Sequence, residues 1–124
     1  MRNYLRDPTE FQYVYTKGKR YDGRFITVFV ISNEGLNHRL GVTASKKAIG
    51  KAVHRNRAKR LLREAFRFNE LSLCALSNKY DWVLNAKSTL LGVKLESPAE
   101  EFAGIVDRVS KSEMRADVKA QRVE

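Results

Sequence analysis

Residues 39–67 have the sequence RLGVTASKKAIGKAVHRNRAKRLLREAFR. At the start of this segment apolar residues recur at every second position, as Leu40, Val42 and Ala44, which is typical of a half-buried β-strand. Further along, apolar residues recur three and four positions apart, which is typical of a helix that buries one face. These helical apolar positions are Ala58, Leu61, Leu62, Ala65 and Phe66. The segment therefore predicts a strand followed by an amphipathic helix.

The opposite face of the predicted helix is basic. At ~100° per residue, five polar residues fall within an arc of roughly 100° opposite the apolar positions. They are Asn56, Lys59, Arg60, Arg63 and Arg67. Stacked like charges destabilise a helix unless an anion compensates them, so a merely solvated face is the less favoured interpretation. We expect nucleic-acid binding, because arginine matches phosphate geometry and because a lipid-binding helix would need exposed bulky apolar residues beside its cations.

Charge and composition support a polyanionic partner. The chain has 124 residues, 43% of them hydrophobic, which suits one folded domain over residues 1–124. Its formal net charge is +10. Residues 46–67 contain nine Lys and Arg residues against a single acid, Glu64, and so account for +8 of that charge. Such a concentration of positive charge indicates an RNA or DNA partner.

The cysteine content and the N-terminus indicate the compartment. One cysteine, Cys74, excludes an intrachain disulfide and disfavours a cysteine-based zinc site, which suits a reducing interior. We interpret it as a small apolar filler within a linker over residues 71–78. The first residues, MRNYLR, lack the apolar core of a signal peptide, and no run approaches the ~20 apolar residues of a membrane span. We therefore expect a cytoplasmic protein with no membrane partner.

Helices are predicted near both ends of the chain. The sequence Asp7-Pro8-Thr9-Glu10 has the N-cap, the first-turn proline and the acidic third residue of a helix start. This helix should run to about Thr16 and end near Gly18, with Phe11, Val14 and Tyr15 on one face. A second helix should start after a Ser97 cap, with Phe102, Ile105, Val106 and Val109 on its apolar face. Residues 111–124 have mixed charge and should either fray or extend that helix.

Three strands are predicted between these helices. Residues 24–31 (RFITVFVI) are rich in β-branched and aromatic residues, and residues 32–35 (SNEG) form a turn. Residues 38–44 should then be the antiparallel partner of that strand. Residues 80–86 (YDWVLNA) are the third candidate.

The aromatic residues allow two interpretations. Phe11, Tyr15, Phe25 and Phe29 either belong to the core or line a surface on which single-stranded bases stack. Strand alternation places Phe25 and Phe29 on one face, so both should have the same role. The sequence alone leaves the two alternatives open.

Evidence for catalysis by the chain itself is weak. His38 and His54 could in principle cleave RNA by acid–base chemistry, but no nucleophile pattern accompanies them. The acidic residues show no clustered metal-site motif. We therefore predict no catalytic residue and no metal site in the protein, and keep an autonomous RNA nuclease as a disfavoured alternative.

These residues carry a resemblance to a known family. The segments RLGVTASKK (39–47), GKAV (50–53) and RNRAKRLLREAFR (55–67) resemble the signature of the bacterial ribonuclease P protein component. Residues 11–18 are similar to the first helix of that family, and residues 81–87 are similar to its last strand. Phe102 onward matches its terminal helix more loosely. Asn85 and Trp82 depart from the family pattern, in which an aliphatic residue and a smaller residue are usual.

The resemblance implies a fold. It is an α/β (α+β) two-layer sandwich of order αβββαβα, similar to the second domain of ribosomal protein S5. A left-handed βαβ crossover carries the basic Arg-Asn-Arg helix, over residues 51–67, whereas right-handed crossovers are otherwise the rule. The resemblance also implies one more strand, within residues 20–25 or obtained by splitting the first predicted strand.

The resemblance also implies a function. Ribonuclease P removes the 5′ leader of precursor tRNA, and its catalytic subunit is an RNA that binds most of the Mg²⁺. The protein would bind that RNA and the leader, with no further protein partner. The residues expected to face the catalytic RNA are Lys46, Lys47, Lys51, Arg55, Asn56, Arg57, Lys59, Arg60, Arg63 and Arg67. The leader is expected in a cleft between the sheet and the basic helix, with Phe11, Tyr15, Phe25, Phe29 and Lys87. A ribosomal or ribosome-assembly protein of similar fold is the remaining alternative.

Overall fold

The computed structural model describes residues 4–122 and the side chains of residues 4–116. These residues form five helices and four strands, and a 3-10 helix over Ser88–Gly92 follows the last strand. In chain order they are α1 (Pro8–Lys17), β1 (Lys19–Asp22), β2 (Ile26–Ser32), β3 (Arg39–Thr43), α2 (Lys46–Ile49), α3 (Ala52–Phe68), α4 (Glu70–Cys74), β4 (Tyr80–Ala86) and α5 (Glu96–Arg122).

The four strands form one sheet in the order β1-β2-β4-β3. β2 is antiparallel to both β1 and β4, whereas β3 is parallel to β4. The prediction that β3 pairs with β2 is therefore wrong, since β4 lies between them. Trp82, Val83 and Leu84 of β4 are all fully buried, and a strand buried on both faces belongs at the centre of a sheet. The α+β class and a crossover that contains α3 agree with the sequence analysis; the hand of the crossover stays a prediction.

The two faces of the sheet support separate cores. On one face Val28, Trp82 and Leu84 pack with Leu62 of α3 and Phe102 of α5. On the other face, Leu5, Val14 and Val83 form a smaller cluster beneath α1. The sheet and the α3–α5 layer make up the expected two layers, and α1 adds a partial third.

Helix α1 begins and ends close to the predicted residues. The Asp7 carboxylate accepts a hydrogen bond from the Thr9 amide at 3.0 Å, and the Glu10 carboxylate accepts one from the Asp7 amide at 3.3 Å. This capping box satisfies amides that the first turn leaves without helical partners. Val14 is fully buried, while Phe11 and Tyr15 are half-buried.

Several boundaries differ from the predictions. β2 begins at Ile26 rather than at residue 24, and the additional strand is β1. α5 begins at Glu96, before the expected Ser97 cap, and continues to Arg122, so the described part of the 111–124 segment is helical. The expected linker starts within α4, and Cys74 is exposed rather than a core filler, because Leu73 and Leu76 supply the apolar contacts there.

His38 joins the start of β3 to α4 and β4. Its Nδ1 accepts hydrogen bonds from the Tyr80 amide at 3.0 Å and from the Trp82 indole N–H at 3.1 Å. Its Nε2 lies 2.9 Å from the Leu73 carbonyl oxygen and therefore carries the proton. A doubly protonated ring is disfavoured, because its Nδ1–H would point at two groups that are themselves hydrogen-bond donors. Burial also lowers the pKa of His38.

The bonding of His38 predicts a pH-dependent stability. A histidine whose pKa is lower in the folded chain than the unfolded value of about 6.5 favours unfolding as the pH falls through that range. We expect the melting temperature to decrease from pH 7 to pH 5, and the decrease to be smaller for His38→Gln. The exposed His54 provides the control: His54→Gln should keep the full decrease. Equal pH dependence of His38→Gln and the unsubstituted protein would contradict this role.

Candidate nucleic-acid interface

The two faces of α3 have the predicted properties. Ala58, Leu62 and Ala65 are buried, and Leu61 and Phe66 pack against the same core. On the opposite face Lys59 is half-buried, and the remaining polar residues of the predicted arc are exposed; these are Asn56, Arg60, Arg63 and Arg67. Among the described side chains, no Lys or Arg of α3 lies within 4.0 Å of a carboxylate oxygen. The positive charge of this face is therefore left without close carboxylate partners within the described part of the chain.

The lysines that precede α3 lie on a separate helix. Lys46 and Lys47 are exposed on α2, where the Ser45 hydroxyl accepts a hydrogen bond from the Ala48 amide at 3.0 Å. Gly50 then has φ 92°, a left-handed conformation that favours glycine. The exposed Lys51 occupies the N-cap position of α3. The basic segment therefore continues from α2 into α3, and Lys46 and Lys47 lie outside the helix predicted over residues 51–67.

Arg55 and Arg57 flank the basic arc differently. Arg57 is exposed, whereas Arg55 is half-buried, as its position beside the apolar stripe predicts. The Arg55 Nε atom is buried and has no hydrogen-bond partner among the described residues. A buried donor of this kind gains stability when it finds an acceptor.

An aromatic cleft lies under α1, on the opposite face of the sheet from α3. The Tyr15 and Phe29 rings meet edge to face with their centroids 4.9 Å apart. A shallow cavity of about 380 Å³ adjoins them, lined by Phe11 and Tyr15 together with Arg6 and Thr43. Phe11 packs closely against β3 because Gly41 has no side chain; a Cβ there would lie 2.6 Å from the ring. Phe11 and Tyr15 of the expected leader-binding set thus line a cleft between the sheet and α1.

Polar contacts attach α1 to the sheet at two points. The Tyr15 hydroxyl donates to the Asn85 side-chain oxygen at 3.0 Å. Arg39 of β3 donates to Glu10 of α1 at 2.8 Å and, through two nitrogens, to Asp81 of β4 at 2.8 and 2.6 Å. Hydrogen bonding to Asp81 raises the pKa of the Arg39 guanidinium. The sequence analysis missed these contacts, although Asn85 was already noted as an unusual polar residue in a strand.

Two residues of the predicted leader-binding set lie elsewhere. Phe25 precedes β2 and packs against the α3–α5 core, so the prediction that it shares a face with Phe29 is wrong. The alternation of the strand does not extend to it, since β2 begins at Ile26. The Lys87 ammonium contacts the Gly23 carbonyl oxygen and pairs with Asp22 at 2.8 Å. The hydrogen bond from Lys87 lowers the pKa of the Asp22 carboxyl.

Two kinds of feature, a metal-holding cluster and a membrane-spanning helix, are absent from the described residues. Within them, no group of three His, Cys, Asp or Glu side chains is arranged to hold a metal ion. None of the helices in this part of the chain has an apolar stretch sufficient to cross a membrane.

Comparison with known sequences finds similar proteins of one family. A family model described as Ribonuclease P matches residues 1–110. The ribonuclease P protein component of Clostridium acetobutylicum is 37% identical over 108 residues, covering 86% of this chain and 87% of that protein. That of Clostridium botulinum (strain Loch Maree) is 45% identical over 67 residues, and the chain covers only 60% of its length.

Solved structures of ribonuclease P proteins have a similar fold. The RNase P protein from Thermotoga maritima superposes with a TM-score of 0.73 at 27% identity, covering 86% of this chain and 97% of that one. The chain therefore belongs to the ribonuclease P protein family.

Proposed function

We propose that this chain is the protein subunit of a ribonuclease P and supports removal of the 5′ leader from precursor tRNA in the cytoplasm. The observation that carries the proposal is the pairing of two surfaces on opposite faces of one sheet. The face of α3 presents cations without close carboxylate partners in the described chain, and the face under α1 presents an aromatic cleft. The first surface suits a folded RNA, and the second suits a single strand.

The basic surface would bind the catalytic RNA. Cations that neutralise phosphates release counterions and so supply most of the affinity for a folded RNA. The proposed contacts are those of α3 and the preceding lysines: Lys46, Lys47, Lys51, Arg55, Asn56, Arg57, Lys59, Arg60, Arg63 and Arg67. The unpartnered Nε atom of Arg55 supports this assignment, because a phosphate oxygen would satisfy it.

The aromatic cleft would bind the leader. Aromatic side chains accept any base, so they suit a leader whose sequence varies from one tRNA to another. Phe11 and Tyr15 line the cleft, and Phe29 supports Tyr15 from below. Phe25 and Lys87 are not among the residues that line it, so the leader assignment rests on the first three.

The chemistry of cleavage would belong to the RNA subunit. The bonds of His38 to Tyr80, Trp82 and Leu73 occupy both ring nitrogens, which leaves it unsuited to proton transfer. Mg²⁺ is commonly held through phosphate oxygens and water, which the RNA would supply. The protein would contribute by binding and orienting the two RNAs.

Reconstitution tests the proposal as a whole. The protein is mixed with a bacterial ribonuclease P RNA and precursor tRNA at low Mg²⁺, and each component is also assayed alone. We expect cleavage at the 5′ end of the mature tRNA that is stimulated only when the protein and the RNA subunit are both present. Cleavage by the protein alone would indicate a nuclease, and binding without processing would indicate a ribosomal type of protein.

The basic face predicts a defined salt dependence. Replacement of Lys59, Arg60, Arg63 or Arg67 by Ala should weaken binding to the catalytic RNA. Each lost phosphate contact should reduce the slope of log affinity against log salt by about 0.7–0.9. The melting temperature should change little, because the buried face of α3 is untouched.

The matched control is Lys94→Ala, which removes an exposed lysine outside α2 and α3. It should leave the salt slope unchanged. Unaltered affinity and slope in all four α3 variants would remove the basis for this interface.

Tyr15 predicts a defect that depends on the leader. In the holoenzyme, Tyr15→Ala should weaken binding of precursor tRNA by ~1–3 kcal/mol, the usual contribution of stacking on one base, and leave mature tRNA unaffected. Tyr15→Phe keeps the ring and loses only the hydrogen bond to Asn85, while Arg39 still attaches α1 to the sheet through Glu10, so it should bind the leader normally. A Tyr15→Ala protein that melts at lower temperature but binds precursor and mature tRNA as before would show that Tyr15 serves the core alone.

A further inference from the structure

A second cleft lies beside the outer edge of β3. β3 is the outermost strand on its side of the sheet, and the described residues that pair with its outer edge belong to the N-terminal segment. Tyr4 forms an isolated parallel bridge with Leu40, and the Leu5 amide donates to the Leu40 carbonyl oxygen at 2.8 Å. This pairing holds the N-terminal segment beside α3 and encloses a cavity of about 570 Å³.

The lining of this cleft combines apolar surface with arginine. Tyr4, Phe11 and two apolar side chains of β3 provide the apolar part. Arg6 from the N-terminal segment and Arg63 and Arg67 from α3 provide the charge. No carboxylate is among the residues that line the cleft, and none of the three guanidinium groups lies within 4.0 Å of a carboxylate oxygen of the described chain.

This combination matches the chemistry of one nucleotide. A base is flat and apolar on its faces and stacks on aromatic rings, and arginine forks bind phosphate. The volume falls within the roughly 300–1,000 Å³ of small-molecule sites. A paired base could not enter, because its faces are already covered in the duplex. The occupant is thus an unstacked nucleotide.

We infer that the cleft beside β3 binds a single unstacked ribonucleotide, with its base against Tyr4 and its phosphate at Arg63 and Arg67. The inference rests on the proposed function and deepens it. Arg6 and Phe11 line both this cleft and the one under α1, so the two are continuous around the edge of β3. The nucleotide can come from the leader or from the catalytic RNA, and its chemistry is the same in both.

The test compares Tyr4→Ala with Tyr4→Phe in the full-length protein. One arm measures affinity for the ribonuclease P RNA alone, and the other measures holoenzyme affinity for precursor and mature tRNA. We expect Tyr4→Ala to lose about 5- to 150-fold in one arm, as the loss of one stacked base predicts, and Tyr4→Phe to keep its affinity. The salt slope should not change, since no phosphate contact is removed. A loss in the first arm assigns the nucleotide to the catalytic RNA, and a loss confined to precursor tRNA assigns it to the leader.

Tyr13→Ala is the matched control, since Tyr13 is an exposed tyrosine of α1 outside this cleft. The Tyr4–Leu40 pairing uses backbone atoms, so Tyr4→Ala should keep its melting temperature. Unchanged affinity of Tyr4→Ala in both arms, or an equal loss in Tyr13→Ala, would overturn the inference. If Arg60→Ala still weakens RNA binding in that case, the proposed function stands without this subsite. Failure of the unsubstituted protein to bind the RNA would overturn both.

Discussion

Burial of β4 on both faces is the constraint on which the other elements depend. Trp82 and Leu84 face α3 and α5, and Val83 faces α1, and all three are fully buried. A strand with two buried faces needs helices on both sides of the sheet and strands on both edges. β2 and β3 pair with the two edges of β4, and the connection from β3 to β4 carries α3 over one face. The basic helix is thus placed opposite α1 by the packing of β4.

The α1 face of β4 is only partly apolar, and that fact keeps the aromatic cleft open. Asp81 and Asn85 flank Val83 and bond to Arg39 and Tyr15. These polar contacts hold α1 over the sheet at both of its ends, whereas the apolar contacts beneath it are confined to a small cluster. Fixing α1 by hydrogen bonds rather than by a full apolar face leaves the edges of Phe11 and Tyr15 uncovered. An asparagine in place of an aliphatic residue in this strand is consistent with that arrangement.

Local patterns predicted most elements of this chain, and the pairing of the elements was the part they could not predict. The capping residues of α1, the two faces of α3 and the extent of β4 follow from spacing and residue type alone. The order of the strands does not, because the pattern of a strand does not specify its neighbours, and the burial of β4 on both faces depends on elements far away in the sequence. Contacts between residues that are far apart in the sequence produce no recognisable pattern in either local segment. Glu101 of α5 accepts hydrogen bonds from three consecutive amides before and at the start of β2, at 2.8, 3.0 and 2.8 Å. Phe25 lies in that turn, which is why its side chain left the face that alternation assigned to it.

The rigidity of α3 is what makes its charged face useful. Phe66 on the inner side of the helix meets Trp82 and Phe102, with ring centroids 6.4 and 5.6 Å apart, and Trp82 and Phe102 are themselves 5.4 Å apart. Aromatic contacts of this kind fix the rotation of the helix about its axis. The cations on the outer side are therefore presented in one direction in the free protein, and under the proposed function less conformational freedom would be lost on binding RNA. Mutual repulsion among those cations costs stability in the free protein, and the packed inner face offsets that cost. Under the proposed function, a helix with the same outer face and a weaker core contact would depend on the RNA for its folding, whereas α3 is already folded before it binds.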